Sequence, residues 1–258
     1  DISLLAKMPN LSEVYLYNQK ITDIGALKGL PIRKLYLSGN QIEDFRVLES
    51  LPNLKELFIS KNPIRYLPDF SKCPKLKSLE MNENTFANLD CLKGASVEWM
   101  AIRKVNVVNG DYTFLEEMPE LVRLLIWNPE AELAEEVSRL TNLREFELFD
   151  YHDTRLDFIK PLQNLEYLCL HGHSEMELAP LKSLGKLSNL TMNDIEIKDI
   201  SAVADMPSLQ FLDIHDTGVT ELSALVKCKN LRQIWVNERQ AEYLEEHGMG
   251  QIWQIYVP

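Results

Sequence analysis

Residues 32–45 read IRKLYLSGNQIEDF, with Ile32, Leu35 and Leu37 in the frame LxxLxL, followed by Asn40, Ile42 and Phe45. The same frame recurs upstream at Leu11-Val14-Leu16. Downstream it recurs at Leu54-Leu57-Ile59, Leu76-Leu79-Met81, Val97-Met100-Ile102 and Leu121-Leu124-Ile126. It continues through Leu143-Phe146-Leu148, Leu165-Leu168-Leu170, Leu187-Leu190-Met192, Leu209-Leu212-Ile214 and Leu231-Ile234-Val236, and it closes on Ile252-Ile255-Val257. These twelve copies start 21 to 24 residues apart, and every framed position is apolar in a chain that is 45% apolar overall, which chance does not produce. A fixed period of this length marks a stacked-repeat architecture, because one repeat cannot bury its own apolar face and a stack of them can.

Within each copy the alternation LxL predicts a short strand, and the segment that follows carries a three-residue apolar rhythm, as in Ile24-Leu27-Leu30 and Leu222-Leu225-Cys228. That rhythm suits 3₁₀ or irregular turns better than long helices. The stretch LYLSGNQIEDF (35–45) resembles the leucine-rich repeat family, and the resemblance covers essentially the whole chain. The repeat of about 22 residues resembles the subclass of bacterial internalins and of the leucine-rich regulatory subunit of protein phosphatase 1. The resemblance implies an α/β repeat solenoid, a horseshoe with a parallel concave sheet of 11–12 short strands and a mainly 3₁₀ convex side. It also implies that Asn40, Asn62 and Asn84 bond backbone groups left unpaired by the bend of each turn. Val105, Pro129, Tyr151, His173, Ile195, Thr217 and Arg239 fill the later slots, so the later turns must satisfy their backbone otherwise.

The whole span 1–258 reads as a single leucine-rich repeat domain that starts and ends inside repeats, so a cap or further repeats are expected ahead of Asp1. Repeats are irregular over 105–142. There the chain swells from Val105 to Met118 around an Asn109-Gly110 turn, and PEAELAEEVSRL (129–140) reads as an amphipathic helix with Asn128 as N-cap and Pro129 at its first position. A second helix is expected at RQAEYLEEH (239–247), stopped by Gly248, and the last strand, 252–257, is expected as a sheet edge partly protected by Pro258.

A net charge of −12 argues against nucleic acid and against an anionic membrane surface as partners, and no stretch has the length of a membrane span. Cys73, Cys91, Cys169 and Cys228 form no CxxC motif or disulfide framework and read as free thiols. Free thiols suit a reducing compartment, while the segment missing before Asp1 leaves a secreted or cell-surface location open. No phosphate loop, nucleophile elbow or HExxH motif occurs, so no enzyme, cofactor or metal is expected. The nearest approach to a metal or catalytic cluster is His171, Asp194, His215 and Asp216. Its two histidines lie two strands apart, roughly 10 Å, too far to share one metal. Cys169 and His171 lie on one strand roughly 7 Å apart, beyond nucleophile–base reach. The sequons Asn10-Leu11-Ser12 and Asn189-Leu190-Thr191 overlap framed strand positions and read as coincidental.

Alternation sends the third, fifth, seventh and eighth positions of each frame outward onto the concave surface, an arc of roughly 50 Å for twelve strands. Aromatic rings collect there: Tyr15, Tyr36, Phe58, Trp235 and Tyr256 at the fifth position, Tyr17, Trp127 and Phe149 at the seventh, Trp99, Tyr167 and Phe211 at the third. The plain alternative is that Tyr and Trp simply suit exposed sheet. Clustered exposed aromatics, however, bury large areas at low entropic cost and mark contact hot spots.

Charge divides along the array. The first six strands carry Glu13, Glu56, Glu80 and Glu83 against Lys34, Lys61, Arg103, Lys104 and Arg123. The next five carry Glu145, Glu147, Asp150, Asp194, Asp213, Asp216 and Glu238 with no Lys or Arg at the outward positions. The reading is a protein–protein interaction module. Its partner-binding residues are Tyr15, Tyr17, Tyr36, Phe58, Trp99, Trp127, Phe149, Asp150, Tyr167, His171, Asp194, Phe211, Asp213, His215, Asp216, Trp235 and Glu238, and its partner is a protein with a basic segment. The alternatives are a carbohydrate or cell-wall recognition domain, in which the rings act as stacking platforms, and the non-catalytic recognition arm of a larger enzyme.

Overall fold

Each LxxLxL frame yields one short parallel strand, because the extended run lasts only until the chain must turn to start the next repeat. The computed structural model describes residues 1–108, 110–127, 129, 131–249 and 254–257. It divides into two compact units, Asp1–Leu124 and Leu125–Pro258. In the first unit the strands β1 (Glu13–Tyr15), β2 (Lys34–Tyr36), β3 (Glu56–Phe58), β4 (Ser78–Glu80) and β6 (Trp99–Arg103) pair in parallel in that order. A side pair joins β5 (Thr85–Phe86) to β7 (Asn106–Val107). The strand β8 (Arg123–Trp127) carries the division. In the second unit β9 (Glu145–Tyr151), β10 (Tyr167–Gly172), β11 (Asn189–Asn193), β12 (Phe211–Asp213), β13 (Gln233–Trp235) and β14 (Gln254–Tyr256) pair in parallel in sequence order. The return segments are 3₁₀ turns, among them Arg46–Ser50, Thr113–Glu117, Ala179–Ser183 and Ser223–Lys227. The fold is a leucine-rich repeat solenoid.

The framed residues build the core. Leu35, Leu57, Leu79, Met100 and Leu124 are fully buried in the first unit, as are Phe146, Leu168, Leu190, Leu212 and Ile234 in the second. Leucines of the turns meet them from the other side, Leu27, Leu48, Leu92 and Leu115 in one unit and Leu181 and Leu225 in the other. The frame loosens at both ends. Leu11 and Leu16 are only half-buried. Val257 is 47% exposed, against the inward place expected for it, because no later repeat covers it among the described residues. Ile252, Pro258, Asn109 and Asn128 lie outside the described residues, and with them the turn, cap and edge-protection readings made there.

The asparagine ladder is present where its residues are. Asn62 Oδ1 accepts from Ile42 N at 3.1 Å, and its Nδ2 donates to the carbonyls of Leu37, Ile59 and Ser60. Asn40 and Asn84 act alike, Asn40 accepting from Gln19 N and Ile21 N and Asn84 from Asn62 N. In the five repeats after the ladder stops the strands lengthen, and β12 and β13 return to 3 residues. The strands β2, β3 and β4 have 3 residues each, whereas β6, β8 and β11 have 5, β10 has 6 and β9 has 7. The backbone groups that an asparagine would satisfy go into sheet pairing instead. Near the C-terminus Gln240 takes over: its Nε2 donates to the carbonyls of Ile214, Thr217 and Val219.

Two local devices set the turns. The eighth position is left-handed in many repeats, with φ of 54° at Lys61, 55° at Glu83, 48° at Lys104, 51° at Asp150 and 56° at Asp194. A carboxylate two residues ahead accepts the backbone N–H that opens many 3₁₀ turns, as Asp23 does from Gly25, Asp44 from Arg46, Asp111 from Thr113, Asp199 from Ser201 and Glu221 from Ser223. Part of the acidic excess therefore serves the turns. The helices are shorter than or shifted from their expected bounds. α1 runs Ala131–Val137, with the residues after Val137 in turns. α2 runs Glu238–Glu246, started one residue early by a capping box of Asn237 and Gln240 and followed by Gly248 at φ 70°.

Candidate functional site: the exposed sheet faces

In the first unit the outward rings form a continuous ladder. Tyr15 stacks on Tyr36 at 4.7 Å between centroids and 14° between planes, Tyr17 lies 5.8 Å from Tyr36, Tyr36 meets Phe58 edge-on at 4.4 Å, and Phe58 stacks on Trp99 at 5.8 Å. The Tyr15–Tyr36 separation matches the spacing of adjacent strands, so these two rings stand upright against each other and turn their edges outward. Tyr15 and Tyr17 remain 52% and 42% exposed. Their polar ends are fixed from within the face. Glu56 accepts from Tyr36 Oη at 2.5 Å and faces Lys34 Nζ at 3.2 Å, while Glu13 accepts from Tyr15 Oη at 3.0 Å. Burial and the Glu56 carboxylate together push the Tyr36 phenol up. Burial alone would raise Glu56, but the hydrogen bonds from Tyr36 and Lys34 hold it below the usual carboxylate range. Lys34 and Glu56 both occupy third positions of successive repeats, so their pairing is readable from the frame, although neither is among the residues expected to bind.

In the second unit the outward residues form a grid whose columns are strands and whose rows are frame positions. The seventh-position row runs Phe149, His171, Asn193, His215, and the eighth-position row runs Asp150, Gly172, Asp194, Asp216, Glu238. Trp127 stacks on Phe149 at 4.6 Å, and Phe149 lies 5.8 Å from His171. A second ring cluster joins Phe211, Trp235, Tyr256 and His215 at 6.0–6.3 Å. Tyr167 is half-buried on β10.

The carboxylates of this face mostly meet histidines. His215 lies between Asp213, 2.5 Å from its Nδ1, and Asp216, 3.0 Å from its Nε2. His173 Nδ1 lies 3.1 Å from Asp194, and His171 Nδ1 is 3.8 Å from Asp150, beyond hydrogen-bond reach. The fifth-position row departs from the expected outward exposure: Glu147, Cys169 and Asp213 are 8%, 5% and 5% exposed. His215, two residues along in the same repeat, packs against Asp213. Asp213 therefore supports His215 from beneath, and the accessible acids are Asp150, Asp194, Asp216 and Glu238. Burial first, and then Glu147, push the Cys169 thiol up to about 11, so it is not a thiolate at neutral pH. Among the described residues no group of three His, Cys, Asp or Glu is arranged to hold a metal, and no helix is long and apolar enough to cross a membrane.

Comparison with known proteins agrees with this architecture. The family model "Leucine Rich repeats (2 copies)" matches residues 32–68 and 52–94. No curated protein matches the chain. Among solved structures, an internalin from Listeria monocytogenes is similar over 98% of this chain and 82% of its own, at 20% identity and a TM-score of 0.65. A leucine-rich repeat protein of Leptospira interrogans is similar over 98% of this chain and 86% of its own, at 14% identity and a TM-score of 0.51. With the repeat frame, the parallel strands and the asparagine ladder, these likenesses show a leucine-rich repeat fold similar to that of an internalin.

Proposed function

We propose that the chain is a protein-interaction module that binds partner proteins with the exposed faces of its sheets. The observation that carries this reading is the ladder Tyr15–Tyr36–Phe58–Trp99: rings of this size left half-exposed and already locked in place lose little entropy on binding and bury much area. Its geometry favours protein over carbohydrate. A sugar platform presents a free ring face, whereas Tyr15 and Tyr36 spend faces on each other. The second unit's face, acidic at Asp150, Asp194, Asp216 and Glu238, suits a partner with a basic segment.

The test is parallel affinity capture with the wild type and with Tyr15→Ala, Tyr36→Ala, Phe58→Ala combined, from cells of the source organism. Partners retained by the wild type and lost from the triple variant, with circular dichroism unchanged, support the first unit's face. Identical partner sets at equal yield exclude it.

A further inference from the structure

The second unit's exposed sheet face is unpartnered among the described residues, lined by rings and by carboxylates of one sign, and its accessible acids are unevenly spaced. Asp150 stands alone at one side. Gly172 follows it in the row and offers no side chain, and Asp194 and Asp216 then stand on neighbouring repeats, with the backbone N–H of Asp194 bonded to the carbonyl of Asp216. The gap is built in: a Cβ on Gly172 would sit 2.7 Å from the Tyr151 carbonyl oxygen. Strands lie about 4.8 Å apart, so Asp150 is about 10 Å from Asp194 and about 14 Å from Asp216.

Along this face, two of them between these points and Trp235 on the next strand beyond, polar atoms lack hydrogen-bond partners. His171 Nδ1, Asn193 Oδ1 and Trp235 Nε1 are each buried and make no hydrogen bond. Buried polar atoms are normally paired, and the Asn193 side-chain oxygen, which lies between Asp150 and Asp216, can accept from a backbone N–H of a passing peptide once its cover shifts. The accessible acids Asp150, Asp194 and Asp216 face histidines and, among the described residues, no Lys or Arg, which argues for a cationic occupant.

Resting on the reading of this face as a docking surface for a basic segment, we propose that it takes an extended peptide running across the strands, with two Arg or Lys side chains four residues apart. One cation meets Asp150, and the other meets the Asp194–Asp216 pair. An extended chain advances about 3.4 Å per residue and turns alternate side chains to the same side. Same-side residues two apart span about 7 Å and fall short, and residues six apart span about 20 Å and overshoot. Residues four apart span about 14 Å and match. The intervening same-side residue passes over Gly172, Thr191 and Asn193, where a small polar side chain fits.

The experiment is fluorescence anisotropy on the full chain with three labelled decapeptides of identical composition. Each carries two arginines in a Ser/Thr background, spaced two, four or six residues apart, and a fourth peptide has serine in place of both. The four-residue spacing is expected to bind at least about fivefold more tightly than the other two. Asp150→Asn is expected to remove that advantage while leaving the circular dichroism unchanged, and a second variant, Asp216→Asn, to do the same. Equal affinity at all three spacings would overturn the two-point geometry and leave the basic-segment reading standing. Binding no better than that of the serine peptide, at low salt and at all spacings, would overturn both.

Discussion

Replacing Asn62 with alanine should cost much more than its size suggests. The side chain is 6% exposed and makes four backbone contacts: it accepts from Ile42 N at 3.1 Å and donates to the carbonyls of Leu37 at 3.0 Å, Ile59 at 3.1 Å and Ser60 at 3.2 Å. These losses are unequal. Leu37 O keeps a bond from Asn40 Nδ2 at 2.7 Å, and Ile59 O keeps one from Asn84 Nδ2 at 3.3 Å, so both carbonyls remain partly satisfied. The Ile42 N–H is left without its acceptor beneath a buried side chain, at about 1–3 kcal/mol, and the remaining losses add about 1 kcal/mol. The expected destabilisation is about 2–4 kcal/mol, read as a lowered urea midpoint by circular dichroism. His173 holds the same place in a later repeat, where the neighbouring strands are long and its exposed side chain meets Asp194 and the edge of the His171 ring. His173→Ala should change stability by no more than about 0.5 kcal/mol. A cost below about 1 kcal/mol for Asn62→Ala, or one for His173→Ala as large as that for Asn62→Ala, would refute the claim that strand extension replaces the ladder.

Other perturbations probe the turns and the core. Lys104 sits at φ 48° with its side chain exposed, so Lys104→Gly should raise stability by about 0.5–1 kcal/mol in the same urea assay, whereas Lys104→Val should lower it. Gly172→Ala drives a methyl group to 2.7 Å from the Tyr151 carbonyl and should cost about 1–3 kcal/mol. Burial pushes the thiols of Cys73, Cys91, Cys169 and Cys228 each up to about 11, so a thiol reagent at pH 8 should leave the folded chain almost unlabelled and react with four groups in urea. The Glu221 carboxyl, held down to about 2 by Ser223 and then Tyr243, stabilises the fold above its usual value near 4.5 and loses that effect as the pH falls towards 2. Glu221→Gln should therefore flatten the acid limb of the stability profile between those values.

The repeat frame was legible because one residue class at one spacing decides which side of a three-residue strand is buried. Leu57 and Leu168 need no context beyond their own repeat. The turn carboxylates were legible too, as an acid two residues before the turn in Asp23-Ile24-Gly25 and Asp111-Tyr112-Thr113, but they were merged into the overall charge. The capping box Asn237-x-x-Gln240 is a local signal of the same kind. The exposure of the outward face is harder to read, because it depends on how side chains pack against one another, within a repeat and between repeats. Asp213 looks like a surface acid until His215 folds over it, and Cys169 is outward in alternation but covered in fact. The pairings of His171 with Asp150 and of His173 with Asp194 cross repeats and arise only when repeats stack, whereas His215 meets Asp213 and Asp216 within its own repeat.

The most direct test of partner binding through the sheet faces is hydroxyl-radical footprinting of the chain with a captured partner. Tyr15, Tyr36, Phe58 and Trp99, or Trp127, Phe149 and Trp235, should lose reactivity on complex formation. Tyr66, 52% exposed and held 4.7 Å from the Arg46 guanidinium outside the outward rows, should keep its reactivity. Protection confined to Tyr66 and the turn residues around Arg46, with both sets of face aromatics as reactive as in the free chain, would contradict the account.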